Sequence, residues 1–143
     1  MTTRLTAHFA LEELSTTLHR GIDNTPPPDV VANLRRTAEQ MERVRAILGD
    51  HPVTVSSGYR SPALNRAVGG APRSAHLQGQ AVDFNCYGFG SSLAVCRAIA
   101  ASDLAFDQLI EEGNWVHVSF DPRLRGQILT KRPGGGYILG LRA

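Results

Sequence analysis

Three side chains, His76, Asp83 and the more distant His117, constrain the fold of this chain more than any other feature. The first two stand in Ser74-Ala75-His76-Leu77-Gln78-Gly79-Gln80-Ala81-Val82-Asp83, the third in Trp115-Val116-His117. Two imidazoles and one carboxylate make a three-donor set for a zinc ion, with the fourth position left open for water. That is the layout of a catalytic zinc site; a structural one would be closed by four ligands and rich in Cys. A fold that uses the set must bring a loop, the strand after it and a much later strand to one point.

Each donor has a local reason to be where it is. Gly79 lets the backbone bend between loop and strand, and the small Ala81 permits close packing beside a metal. Asp83 then enters from a strand whose neighbours Val82 and Phe84 point to the opposite face. A carboxylate among Val, Phe and Ala is costly to bury without a cation, and zinc supplies one. The alternative pairs Asp83 with an arginine and leaves His76 on the loop surface. His117 lies between two valines, and a lone strand histidine is more often a satisfied core residue than a ligand.

The motifs carry a resemblance. Ser-x-His-x-x-Gly-x-Ala-x-Asp followed by Trp-x-His resembles the zinc D-alanyl-D-alanine peptidase family. The similarity is greatest to its branch of small single-domain enzymes, found as phage endolysins or cell-wall peptidases. Ser57-Gly58-Tyr59-Arg60-Ser61-Pro62, Asn65-Arg66-Ala67-Val68-Gly69-Gly70 and Phe106-Asp107-Gln108-Leu109-Ile110 are similar to the same branch and occur in the same order. The resemblance implies an α+β fold, a small antiparallel sheet with packed helices as in the hedgehog and DD-peptidase proteins. It also implies one Zn2+ on His76, Asp83 and His117, since Trp115-Val116-His117-Val118-Ser119 matches the family's third-ligand segment.

Peptide hydrolysis needs a group that takes a proton from water and hands it to the leaving amine. Glu111 and Glu112 stand beside the expected hairpin turn, and strand alternation sends them to opposite sides, so only one can serve. Aligned from Phe106-Asp107, Glu112 takes the place of the family's catalytic carboxylate, and Glu111 the place of a frequent tyrosine. Both could instead be exposed turn acids. By resemblance Arg60 is the substrate or oxyanion arginine, because a guanidinium can grip a carboxylate with two bonds or steady a carbonyl oxygen gaining charge. On its own it could equally be a loop salt-bridge partner. Ser74 and Trp115 complete the substrate-contact candidates, although Ser74, like Asn65, reads first as a loop-fixing hydrogen-bonder and Trp115 as packing. His8, His19 and His51 lie outside any motif.

The 143 residues suit one domain, helical over 1–50 and carrying the sheet and metal site over 51–143. A helix is expected over 11–20, though Ala10 caps it poorly, and Asn24-Thr25-Pro26-Pro27-Pro28 forms a stiff connector. Val31, Leu34, Ala38, Met41, Val44 and Leu48 recur at helical spacing, predicting a helix from Asp29 to Leu48 with Gly49 as its cap. Its charged opposite face reads as solvated. Strands are expected over 52–56 and 81–85, a long ordered loop over 57–75 and a helix over 92–101. The hairpin pairs 106–112 with 115–120, and a last strand covers 137–139.

A net charge of +2, without a basic run interleaved with aromatics, gives no sign of nucleic acid. Cys86 and Cys96 form no Cys-x-x-Cys pair and are expected as reduced, buried thiols. No apolar stretch of secretory length follows Met1-Thr2-Thr3-Arg4-Leu5-Thr6, and none could span a membrane. The expectation is a monomer made in the cytoplasm that reaches the cell wall through phage lysis or delivery in a virion. The expected activity is hydrolysis of peptidoglycan stem or cross-link peptides, as a carboxypeptidase or an endopeptidase. Two rivals stand beside it: a zinc-stabilised wall-binding module without activity, and a phage structural protein without metal.

Overall fold

The computed structural model describes residues 2–143, so Met1 lies outside it. Its elements, in order, are α1 (Pro28–Ile47), β1 (Thr54–Ser57), α2 (Pro62–Ala67), a 3₁₀ turn (Ala75–Gln78), β2 (Ala81–Asn85) and α3 (Ser92–Ala100). β3 (Gln108–Glu111), β4 (Val116–Ser119), β5 (Gln127–Lys131) and β6 (Tyr137–Leu139) follow.

The α1 helix begins where its prolines allow. Pro28 occupies the first helical position, where its missing N–H is no loss, and Asp29 adds a negative charge to the first turn. Val30, Leu34, Thr37, Ala38, Met41 and Val44 form its buried face. Val30 takes the inward place expected of Val31, which is only half-buried. After the cap at Leu48, Gly49 adopts φ +75°, a left-handed conformation that glycine reaches without steric cost.

All six strands join one sheet in the order β1-β2-β4-β3-β5-β6. Every pairing is antiparallel except β3 with β5, so the sheet is mixed rather than purely antiparallel. The parallel pair arises because the chain leaves β4, passes β3 and returns along its far edge. Alternation then divides the sheet. Val82, Phe84, Leu109, Val116 and Val118 join Leu34, Met41 and Val44 of α1 and Val95, Cys96 and Ile99 of α3 in one core. Asp83 and His117 occupy the other face, directly opposite each other on β2 and β4. Cys86 and Cys96 are free, buried thiols, as expected.

Two further expectations are corrected. Residues 11–20 form turns rather than a helix. The carbonyls a helix would use internally are taken by distant donors: Leu14 O accepts from Tyr59 N at 2.7 Å, and Ser15 O from Asn24 Nδ2 at 2.9 Å. The loop over 57–75 contains α2, started by Pro62 and by Ser61, whose Oγ accepts from Leu64 N at 3.1 Å. The segment after Asp121 also contributes β5, whose Gln-Ile-Leu-Thr-Lys sequence lacks the polar–apolar alternation that marks a strand. Among the described residues, no helix is long and apolar enough to cross a membrane.

Candidate metal centre and cleft

His76, Asp83 and His117 converge, with one donor atom from each lying within 4.8 Å of the others. His76 sits in the 3₁₀ turn, which Ser74 caps by accepting from the His76 backbone N–H at 3.2 Å. Gly79 ends the turn at φ +70°, and a Cβ there would lie 2.9 Å from Leu34, so the bend needs glycine twice over. From α1, Thr37 Oγ1 donates to Gly79 O at 2.7 Å and fixes the turn against the helix.

The His76 ring is almost fully buried. Its Nδ1 lies 2.7 Å from Gly58 O, and a carbonyl can only accept, so Nδ1 carries the proton. Nε2 is left as a lone pair, buried and without a hydrogen-bond partner. Burial also holds the imidazole below its usual pKa, favouring the neutral form that can ligate a metal. Buried polar atoms without partners are rare, and a cation in front of Nε2 resolves this one. Asp83 Oδ1 lies 3.3 Å from Nε2 and 2.9 Å from His117 Nδ1. Burial pushes the Asp83 carboxyl up, but the hydrogen bond from His117 Nδ1 outweighs it, leaving the carboxylate well below its usual range. The His76 and His117 rings meet edge-on, with centroids 5.2 Å apart. Two imidazoles and an ionised carboxylate fit one zinc ion.

Only half of the Asp83 alternative is present. Arg60 Nη2 does approach Asp83 Oδ2, at 3.5 Å, but His76 is buried rather than on the surface. Arg60 is also held by Asn65 Oδ1 at 3.2 Å and Ser57 Oγ at 3.4 Å. Gly70 has room for no side chain there, since a Cβ would fall 2.0 Å from Asn65 Oδ1.

A cleft of about 490 Å³ opens over this centre, and Arg60, Ser74, His76, Asp83, Glu112, Trp115 and His117 all line it. Glu112 and Glu111 part as alternation requires. Glu112 faces the cleft, where burial and the nearby Asp83 carboxylate raise its pKa. Glu111 is buried on the other side, accepting from Ser92 Oγ at 2.7 Å, Gly113 N at 2.7 Å and Arg132 Nη1 at 2.9 Å. It is therefore no exposed turn acid.

Several residues outside the predicted set belong to this neighbourhood. Lys131 and Tyr137, from the last two strands, line the cleft, as do Asp107 and Asp121. Asn24 ties three segments together: Nδ2 donates to Ser15 O and Tyr59 O at 2.9 Å each, and Oδ1 accepts from Ser61 N at 2.7 Å. Nothing in the sequence around Asn24 distinguishes it from an ordinary residue before a proline run. Of the unassigned histidines, His8 pairs with Glu42 at 2.7 Å on the surface.

An 82-residue stretch, 57% of this chain, is 37% identical to the zinc D-Ala-D-Ala carboxypeptidase of Streptomyces albus G. The chain spans 31% of that protein's length. The sequence model of the peptidase M15 family matches residues 7–119, a span that takes in the turn bearing His76, the strand bearing Asp83, Glu112 and the strand bearing His117. With a match across most of its length, this chain belongs to the peptidase M15 family.

Proposed function

We propose that the protein is a zinc peptidase that hydrolyses peptidoglycan stem or cross-link peptides. The observation that carries this reading is the placing of Glu112, a carboxylate with a raised pKa, in the same cleft as His76, Asp83 and His117. A binding module would have no need for an acid poised there.

His76, Asp83 and His117 hold the ion. When bound, zinc supplies Lewis acidity to water and to the scissile carbonyl. Glu112 accepts a proton from the attacking water and delivers it to the departing nitrogen. The carbon–nitrogen bond breaks as the new carbon–oxygen bond is completed, and no other reactant is consumed. Arg60, beside Asp83, faces the carbonyl oxygen as charge develops on it. Its grip on Asn65 and Ser57 keeps the guanidinium oriented for that task. Trp115 forms a wall for the substrate, and Ser74 acts by fixing the turn that carries His76.

The test is mass spectrometry of purified peptidoglycan fragments after incubation, with and without a chelator. Loss of a terminal residue marks a carboxypeptidase, and separation of cross-linked fragments marks an endopeptidase. Unchanged fragments with zinc-loaded protein would overturn the reading in favour of a non-catalytic wall-binding module.

A further inference from the structure

The cleft contains a cation that the hydrolytic machinery leaves unused. Lys131 closes β5, and β5 runs parallel to β3 with Glu111 opposite Thr130. One residue further along stand Glu112, just past the end of β3, and Lys131, the last residue of β5, and neighbouring strands are spaced about 4.8 Å apart. Both line the cleft. The Lys131 ammonium lies 5.3 Å from the ring centre of Tyr137, its partner across the β5–β6 ladder. Among the described residues, no carboxylate lies within ion-pair distance of it.

The other cations of the cleft differ. Arg60 is engaged by Asp83, Asn65 and Ser57. Arg123 is bound to Asp121 at 3.1 Å. Arg73 is exposed and unpaired among the described residues, but it stands in the loop leading to His76 rather than beside Glu112. Lys131 is thus the free positive charge next to the proposed proton donor.

We infer that Lys131, steadied by Tyr137, binds the free α-carboxylate of the residue that leaves, so that the site favours substrates ending in a free acid. This rests on the hydrolytic reading above and deepens it. The departing nitrogen must come within reach of Glu112 to be protonated, and a terminal carboxylate lies only two bonds from that nitrogen. A cation one strand over from Glu112 meets it there, and the Tyr137 ring holds the lysine in place through its face. Internal peptide bonds offer no such charge to Lys131.

The test compares matched peptides with a free or an amidated C-terminus, on zinc-loaded wild type, Lys131→Met and Arg73→Met. Lys131→Met should raise KM for the free acid about ten- to a hundredfold relative to KM for the amide, the range of a hydrogen bond to a charged group. Arg73→Met should behave as wild type. Titration calorimetry in a Glu112→Gln background, where peptide stays intact, should show the same loss of preference in Kd. Equal effects on both peptides, no effect on either, or loss of acid preference in Arg73→Met would each overturn the assignment while leaving the hydrolytic reading standing. If wild type cleaves neither peptide, the hydrolytic reading fails, and the calorimetric preference still decides whether Lys131 binds the carboxylate.

Discussion

Glu111 and Glu112 are adjacent in sequence and opposite in surroundings, so removing their charges should have opposite consequences. Glu112→Gln should retain the fold and zinc but lose about 100- to 10,000-fold in turnover, the usual contribution of a general acid–base group. Glu111→Gln should keep turnover and lose about 1–3 kcal/mol of stability, because a buried carboxylate that accepts from Ser92, Gly113 and Arg132 becomes a poorer acceptor. Steady-state kinetics and thermal unfolding of both variants check the pair. Reversed outcomes would mean that Glu111 carries the chemistry. The surroundings of these residues also show how far the sequence could be read. Two-residue alternation is a local rule and placed the acids on opposite faces. That Glu111 would meet Ser92 and Arg132 depends on α3 and β5 docking against β3, which no local rule contains.

At the scale of elements, Gly58 links the N-terminal turns to the metal centre. Its carbonyl receives His76 Nδ1–H, and its Cα faces Leu14, where an added Cβ would fall 2.2 Å from the Leu14 carbonyl oxygen. Gly58→Ala should therefore displace the loop, turn the carbonyl away from His76 and weaken zinc binding about 10- to 100-fold, as loss of a ligand's supporting hydrogen bond does. Competition with a metallochromic chelator measures this; unchanged affinity would show that the His76 ring is oriented by other contacts. The same junction explains the missing helix over 11–20. Leu11, Leu14 and Leu18 have helical spacing, yet Leu14 is fully buried and Leu18 is 98% exposed, so they share no face. Periodicity reports the pattern, while Tyr59 and Asn24 claim the carbonyls. By contrast α1, with a regular apolar face and a glycine stop, was legible to within a residue at each end, although its first inward valine is Val30 rather than Val31. β5 and α2 were hidden because their signals are short and their reason to form is a neighbour.

For the molecule as a whole, acid should act through buried carboxylates. Asp107 is held well below its usual range, first by the Arg125 guanidinium, which donates at 2.9 and 2.8 Å, and against the opposing effect of burial. Because the folded pKa is the lower one, the ionised form favours folding. That contribution is complete above the unfolded value of about 3.9 and is lost as pH falls towards the folded value. Asp107→Asn should be less stable at neutral pH and show a flatter decline below about pH 4. Thermal melts of metal-free protein across pH test this without interference from zinc release, and parallel curves for the two proteins would contradict it.

Cys96, on the buried face of α3, lies fully enclosed in the core, and burial, with the charge of Glu111, pushes its thiol up to about 12. Little thiolate exists at neutral pH, and no reagent can reach it, so both requirements for alkylation are withheld while the structure is closed. Each modification event then records an excursion in which α3 has lifted from the sheet. With Cys86 replaced by Ser, the labelling rate becomes a clock for that excursion. Asp83 and His117, which would hold the zinc ion, occupy the opposite face of the same sheet. If chelation leaves the clock unchanged while lowering the melting temperature, the two faces open independently; if it quickens both, they open as one.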